Sequence, residues 1–212
     1  MIKTIQVKNG TKEATQIRCL NRLPDKSTIV EKIIDDVIKF GDIALKKYTK
    51  KYDKVKIDSI VVDKEEFKKA YQQVTLNQLK SLRRSKKLLE KNEKMLLRRL
   101  IGIISSEDGV KIERAIKPID SIGCYVPGGK ARYPSTLIMC AIPAIVADVN
   151  RIAVVSPPMK NGNIDPLTLD AADMCGIEEV YKVGGAQAVA ALAYGTKTIK
   201  KVDKIIGPGG LF

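Results

Sequence analysis

The 212-residue chain contains no histidine. Histidine is the side chain whose ordinary titration falls near neutral pH and the commonest imidazole ligand for metals. A Ser-His or Cys-His nucleophile is therefore excluded within the chain, and so is any histidine-based metal site. Tryptophan is also absent, and aromatic residues make up 5% of the sequence. The basic segments accordingly lack the aromatic interleaving with which single-strand nucleic-acid binders stack bases. Four cysteines (Cys19, Cys124, Cys140 and Cys175) show no CxxC spacing, which excludes a zinc ribbon or thioredoxin-like motif by pattern. They read as buried small hydrophobes in a reducing compartment. No run approaches the ~20 apolar residues that cross a bilayer, and the amino terminus has no signal-peptide core. The expected location is the cytoplasm, without a membrane partner.

What is present is an ordinary globular composition, 44% hydrophobic and 29% charged, with a net charge of +14. The charge is lopsided. Residues 1–120 carry 29 Lys/Arg against 17 Asp/Glu, whereas residues 121–212 carry 9 against 7. That asymmetry places an expected boundary near residue 120. The basic half reads as a Lys-rich solvated surface; nonspecific nucleic-acid affinity is the alternative.

The amino-terminal half has mainly helical periodicity. A helix is expected over Leu23–Phe40, with Thr28 and Glu31 spaced as a capping box and Ile29, Ile33, Ile34, Val37 and Ile38 on one face. Gly41 is the expected stop, followed by a short helix over Asp42–Tyr48. Val55–Val62 is expected to be extended, and Lys64–Leu100 to be a long helical stretch whose Arg83–Lys87 run faces solvent. Gly102 and Gly109 bracket short extended pieces, the second alternating over Val110–Ile116.

From Ser121 the pattern becomes strand, Gly/Pro loop, helix, repeated. Strands are expected over Ile122–Val126, Arg151–Ser156, Glu179–Val183 and Val202–Ile206. Helices are expected over Ser135–Ala147, Pro166–Cys175 and Ala186–Tyr194. Four strands alternating with three helices imply right-handed βαβ units and a parallel sheet. The fold class is therefore α/β: a Rossmann-like parallel sheet with flanking helices, preceded by a mainly helical region.

A Gly- or Pro-rich loop follows each of these strands. In a parallel sheet all four loops share the edge where ligands of open α/β sheets bind. Gly128-Gly129 and Gly184-Gly185 each precede a helix and give the backbone room to approach a ligand. Glycine at strand ends is also ordinary turn chemistry, and neither GxGxxG nor GxxxxGK[ST] occurs. Both readings stand on the residues alone. Taken that way, Tyr125 is a half-buried strand-end aromatic and Gln187 a solvated helix residue.

The segments Gly123–Gly129 (GCYVPGG), Tyr133–Thr136 (YPST), Gly184–Ala188 (GGAQA), Ala190–Thr196 (AALAYGT) and Val202–Gly209 (VDKIIGPG) resemble the histidinol dehydrogenase family in identity, order and spacing. Phe40–Thr49 with Tyr52-Asp53 is similar to that family as well. The resemblance implies a zinc- and NAD-dependent homodimeric enzyme that oxidises L-histidinol to L-histidine through an aldehyde. It implies NAD contacts at Tyr125 and Gln187, and a third at the position of Gly210, where the family reads Asn. The family's zinc ligands, substrate-binding residues and Glu-His acid/base pair belong to segments that follow this loop. The expectation is a truncated chain with an incomplete second α/β domain, no zinc ligands and no turnover alone.

Overall fold

A computed structural model describes residues 27–100, 104–113, 115–128 and 132–209. Cys19, Gly102, Gly129 and Gly210 lie outside them. The amino-terminal half contributes helices α1 (Ser27–Phe40), α2 (Asp42–Tyr48), α3 (Lys64–Tyr71) and α4 (Leu76–Leu100) and a hairpin of β1 (Ile104–Glu107) and β2 (Val110–Glu113). The remainder alternates: β3 (Ser121–Tyr125), α5 (Pro134–Val146), β4 (Arg151–Ser156), α6 (Pro166–Met174), β5 (Val180–Lys182), α7 (Gly185–Tyr194) and β6 (Lys204–Ile206). The α/β class expected from the sequence is the observed one.

The four main strands are parallel and lie in the order β5-β4-β3-β6. The chain steps outward from β3 to β4 and β5, then returns across the sheet to place β6 on the other side of β3. The reversal puts a topological switch between β3 and β6, and in open α/β sheets a ligand crevice opens there beyond the strands' carboxyl ends. β3, β5 and most of β4 are buried on both faces, so alternate side chains serve two cores, while β6 at the edge is only partly covered. Ile122, Cys124 and Val154 join Leu137, Ile138 and Ile142 of α5 and Leu167 and Leu169 of α6 on one face. Tyr125, Ala153 and Val155 join Ala188, Ala191 and Leu192 of α7 on the other.

Both cores extend into the amino-terminal half. Ile33 and Val37 of α1 and Leu45 and Tyr48 of α2 belong to the core beside α7. Val62, Ala70 of α3 and Leu82 of α4 belong to the core beside α5 and α6. An ion pair between Lys182 Nζ and Glu66, 2.7 Å long and mostly buried, ties α3 to the end of β5.

Several sequence expectations change in detail. Thr28 lies inside α1 rather than at its cap, because the helix already includes Ser27. Of the expected apolar face, Ile33 and Val37 are buried, while Ile29 and Ile38 are exposed. Val55–Val62 forms no strand; it runs as an extended segment along β5, with one antiparallel bridge between Val61 and Tyr181 and Lys182 N–H donating to the Ile60 carbonyl at 2.7 Å. The stretch Lys64–Leu100 is two helices, because Asp63 and Glu66 form a reciprocal capping box at one start and the chain turns again at residues 72–75. The alternation after Gly109 buries nothing: β1 and β2 are exposed throughout and turn at Asp108 (φ 51°) and Gly109 (φ 80°). Cys124 is buried and Cys140 and Cys175 are partly so, all three as free thiols.

Candidate functional site

The loops beyond β3, β4 and β5 and the turn after β6 gather at one edge of the sheet, and a cavity of about 510 Å³ lies there. Tyr125, Pro127 and Gly128 follow from β3, Pro157 from β4, and Gly185, Ala186 and Gln187 from β5. Ile29, Val30 and Ile33 of α1, with Tyr52 and Asp53, close the opposite wall. The cleft therefore forms between the sheet edge and the amino-terminal half.

Tyr125 is the last residue of β3, so the pleat turns its ring to the α7 side, where it is buried. Its hydroxyl accepts a hydrogen bond from the Gly185 N–H at 3.2 Å. That bond joins the loop after β3 to the first turn of α7. Gly185 has φ 65°, a conformation in which a side chain is strained, and a Cβ there would stand 2.8 Å from Gln187 Oε1. The glycine thus leaves room for the glutamine. Gln187 is 1% exposed, and its amide oxygen has no hydrogen-bond partner among the described residues. A solvated helix residue, the reading from the sequence without the resemblance, is not what the fold makes of it. Buried polar atoms are rarely left unpaired, and one that lines a cavity is poised for a ligand's donor.

The glycine pairs do not act alike. A Cβ at Gly128 would come within 2.6 Å of Pro157 Cγ, and one at Gly184 within 2.5 Å of Pro157 Cβ. Both glycines make room for the proline that follows β4, so they serve loop packing. Gly128 and Gly185 both line the cleft, and of the two it is Gly185 whose missing side chain leaves room for Gln187. Gly207, at the end of β6, has φ 148°, and a Cβ there would be 2.2 Å from the Tyr125 carbonyl oxygen. The backbones of the β3 and β6 loops thus touch at the switch point.

Asp53 was not among the residues that sequence reasoning assigned to the site. It ends a π-helical turn over Thr49–Asp53, and its Oδ2 is buried without a partner among the described residues. Burial pushes its carboxyl up to about 6. Tyr52-Asp53 carries part of the family resemblance without a role attached, and the cleft's geometry is what singles Asp53 out. Asp170 of α6 has a raised carboxyl as well, at about 6, but lies away from this cleft. Among the described residues no three His, Cys, Asp or Glu side chains converge on a point that could hold a metal ion. No helix among them is long and apolar enough to cross a membrane.

This edge combines a switch point, an aromatic hydroxyl tied to a helix start, and an amide oxygen buried without a partner among the described residues. Residues 19–212 match the family model described as histidinol dehydrogenase. The chain is 49% identical over 183 residues to the histidinol dehydrogenase of Clostridium acetobutylicum, covering 86% of this chain and 42% of that one. It is 43% identical over 185 residues to that of Methanocaldococcus jannaschii, covering 87% and 43%. The crystal structure of histidinol dehydrogenase from Elizabethkingia anophelis superposes with a TM-score of 0.83 at 36% identity, over 90% of this chain and 44% of that chain. The chain spans less than half the length of these relatives. A family-model match over residues 19–212, high identity and a shared fold agree that this chain belongs to the histidinol dehydrogenase family.

Proposed function

We propose that the chain is the dinucleotide-binding portion of an enzyme that oxidises L-histidinol to L-histidine with NAD in histidine biosynthesis. The observation that carries the reading is the meeting of Tyr125 and Gln187 in one cleft at the switch point. These two residues come from strands separated by a third, and only the fold unites them.

The cleft fits a dinucleotide. Ile29, Ile33, Pro127 and Pro157 offer apolar walls for a flat ring. The Gln187 amide oxygen lacks a donor, and the start of α7 favours a phosphate through its free amides and dipole. NAD supplies the hydride acceptor when bound. The chain's own part is to hold it: Gln187 accepts from it and Tyr125 fixes the loop against which it lies, while Gly210, at the position where the family reads Asn, brings no side chain to it. The described residues do not fit a catalytic zinc, which needs about three protein ligands at one point.

L-histidinol is the proposed substrate and a second copy of the chain the proposed partner. Exposed Leu88, Met95 and Leu96 on α4 and Ile104 and Ile112 on the hairpin support association. The proposed location is the cytoplasm, where thiols such as Cys124 stay reduced. We retain a division of labour near residue 120, with cofactor-holding loops after it.

Calorimetric titration with NAD tests the reading. Binding should be weak, and Gln187→Ala or Tyr125→Ala should weaken it a further tenfold to hundredfold, about the loss of one polar contact. Sub-micromolar affinity, or affinity unchanged in both variants, overturns the assignment. A polypeptide of these 212 residues should form no NADH from histidinol even with zinc added, because it holds no imidazole to act as a base near neutral pH. Detectable NADH from the purified chain refutes that expectation.

A further inference from the structure

The described residues lining the cleft include one carboxyl group, Asp53, to which neither the strand-end loops nor the packing assigns a task. It closes the π-helical turn Thr49–Asp53, and Lys54 follows in the left-handed region at φ 61°. The backbone reverses there, which holds Asp53 at the wall facing Tyr125 and Gln187 instead of out along a helix. Among the described residues its Oδ2 has no hydrogen-bond partner, and neither has Gln187 Oε1 in the same cavity. Burial pushes the carboxyl up to about 6, which is still below neutral pH. At neutral pH the group is therefore ionised and short of donors.

A ligand that satisfies two acceptors must bring donors, and this cleft asks for them beside apolar walls. Adjacent hydroxyls on a ribose, attached to a flat base, have that arrangement. A carboxylate presents two oxygens to such a diol. We propose that Asp53 accepts hydrogen bonds from a ribose diol of the dinucleotide in this cleft and, by its charge, discriminates against the form carrying a 2′-phosphate. The proposal rests on the reading of the cleft as a dinucleotide site. A 2′-phosphate removes one donor and sets a second anion against the carboxylate where water screens little. The role falls to a residue of the amino-terminal half, across the cleft from the strand-end loops.

The test is to titrate the chain and its Asp53→Asn, Asp53→Glu and Gln187→Ala variants with NAD and with NADP, following the ligand by NMR at concentrations up to millimolar. The original chain should prefer NAD over NADP by about tenfold or more, the value of one charge-assisted contact. Asp53→Asn keeps the size of the side chain and removes its charge, so the fold should persist. It should weaken NAD by roughly tenfold and bring the NAD to NADP ratio near one, with Asp53→Glu restoring part of the preference. An unchanged ratio in Asp53→Asn, with NAD still weakened by Gln187→Ala, overturns the role of Asp53 and leaves the cleft assignment standing. A chain that binds neither cofactor overturns the dinucleotide reading, and the proposal with it.

Discussion

Two glycines show how little space separates the backbone from the residues that matter. Gly185 adopts φ 65° against the Gln187 amide, and Gly207 adopts φ 148° against the Tyr125 carbonyl. Gly185→Ala should cost about 1–2 kcal/mol from the left-handed backbone alone, and should also displace Gln187. Gly207→Ala should destabilise more, since its Cβ would meet backbone 2.2 Å away instead of a flexible side-chain end. Urea midpoints and NAD titration separate the two outcomes: Gly185→Ala should lose affinity out of proportion to stability. Equal, small effects on both would mean that the turn relaxes freely. The sequence already showed where Tyr125 and Gln187 were. It did not show that Gln187 is buried, because burial at the first turn of α7 depends on α1 lying across it.

At the scale of the element, α6 carries a charge that its surroundings do not support. Asp170 is 4% exposed, its Oδ2 has no partner among the described residues, and burial followed by the nearby Asp173 and Asp165 raises its carboxyl to about 6. In the unfolded chain the same group titrates near 3.8. Between those values the folded state holds the proton that the unfolded state releases, so stability falls as pH rises from about 4 to about 6. Above that window the deficit is roughly 3 kcal/mol at most. Asp170→Asn should therefore raise the urea midpoint at pH 7.5 and do little at pH 4; a variant that gains nothing at pH 7.5 would show the charge to be compensated. Such a cost was not legible from the sequence, in which Asp170 looks like any polar helix position. The elements themselves were largely legible. β4 and α2 have the expected limits, and β3, α5, α6 and α7 shift by a residue at one or both ends, because a Gly or Pro stands at nearly every junction. Val55–Val62 is extended, as its β-branched residues imply, but that it forms a single bridge to β5 instead of a paired strand depends on its neighbour at the sheet edge and was not legible.

At the scale of the whole molecule, charge divides the chain near residue 120, but its two cores do not respect that division. Ile33, Val37 and Leu45 share one core with Val155 and Leu192, and Ala70 and Leu82 share the other with Ile142 and Leu169. A specific protease site placed at the exposed Asp108-Gly109 turn should thus give two pieces that still elute together in native buffer. Pieces that separate without denaturant would show that these shared cores contribute little. Pro157 has a further consequence, one of history. It sits between Gly128 and Gly184 with no room for a Cβ on either side. A mutation at one glycine is tolerable only if the proline has already gone, and the proline has no reason to go while both glycines remain. Along any lineage the three positions should change together or stay fixed, so that two loops 56 residues apart in sequence descend as one inherited character.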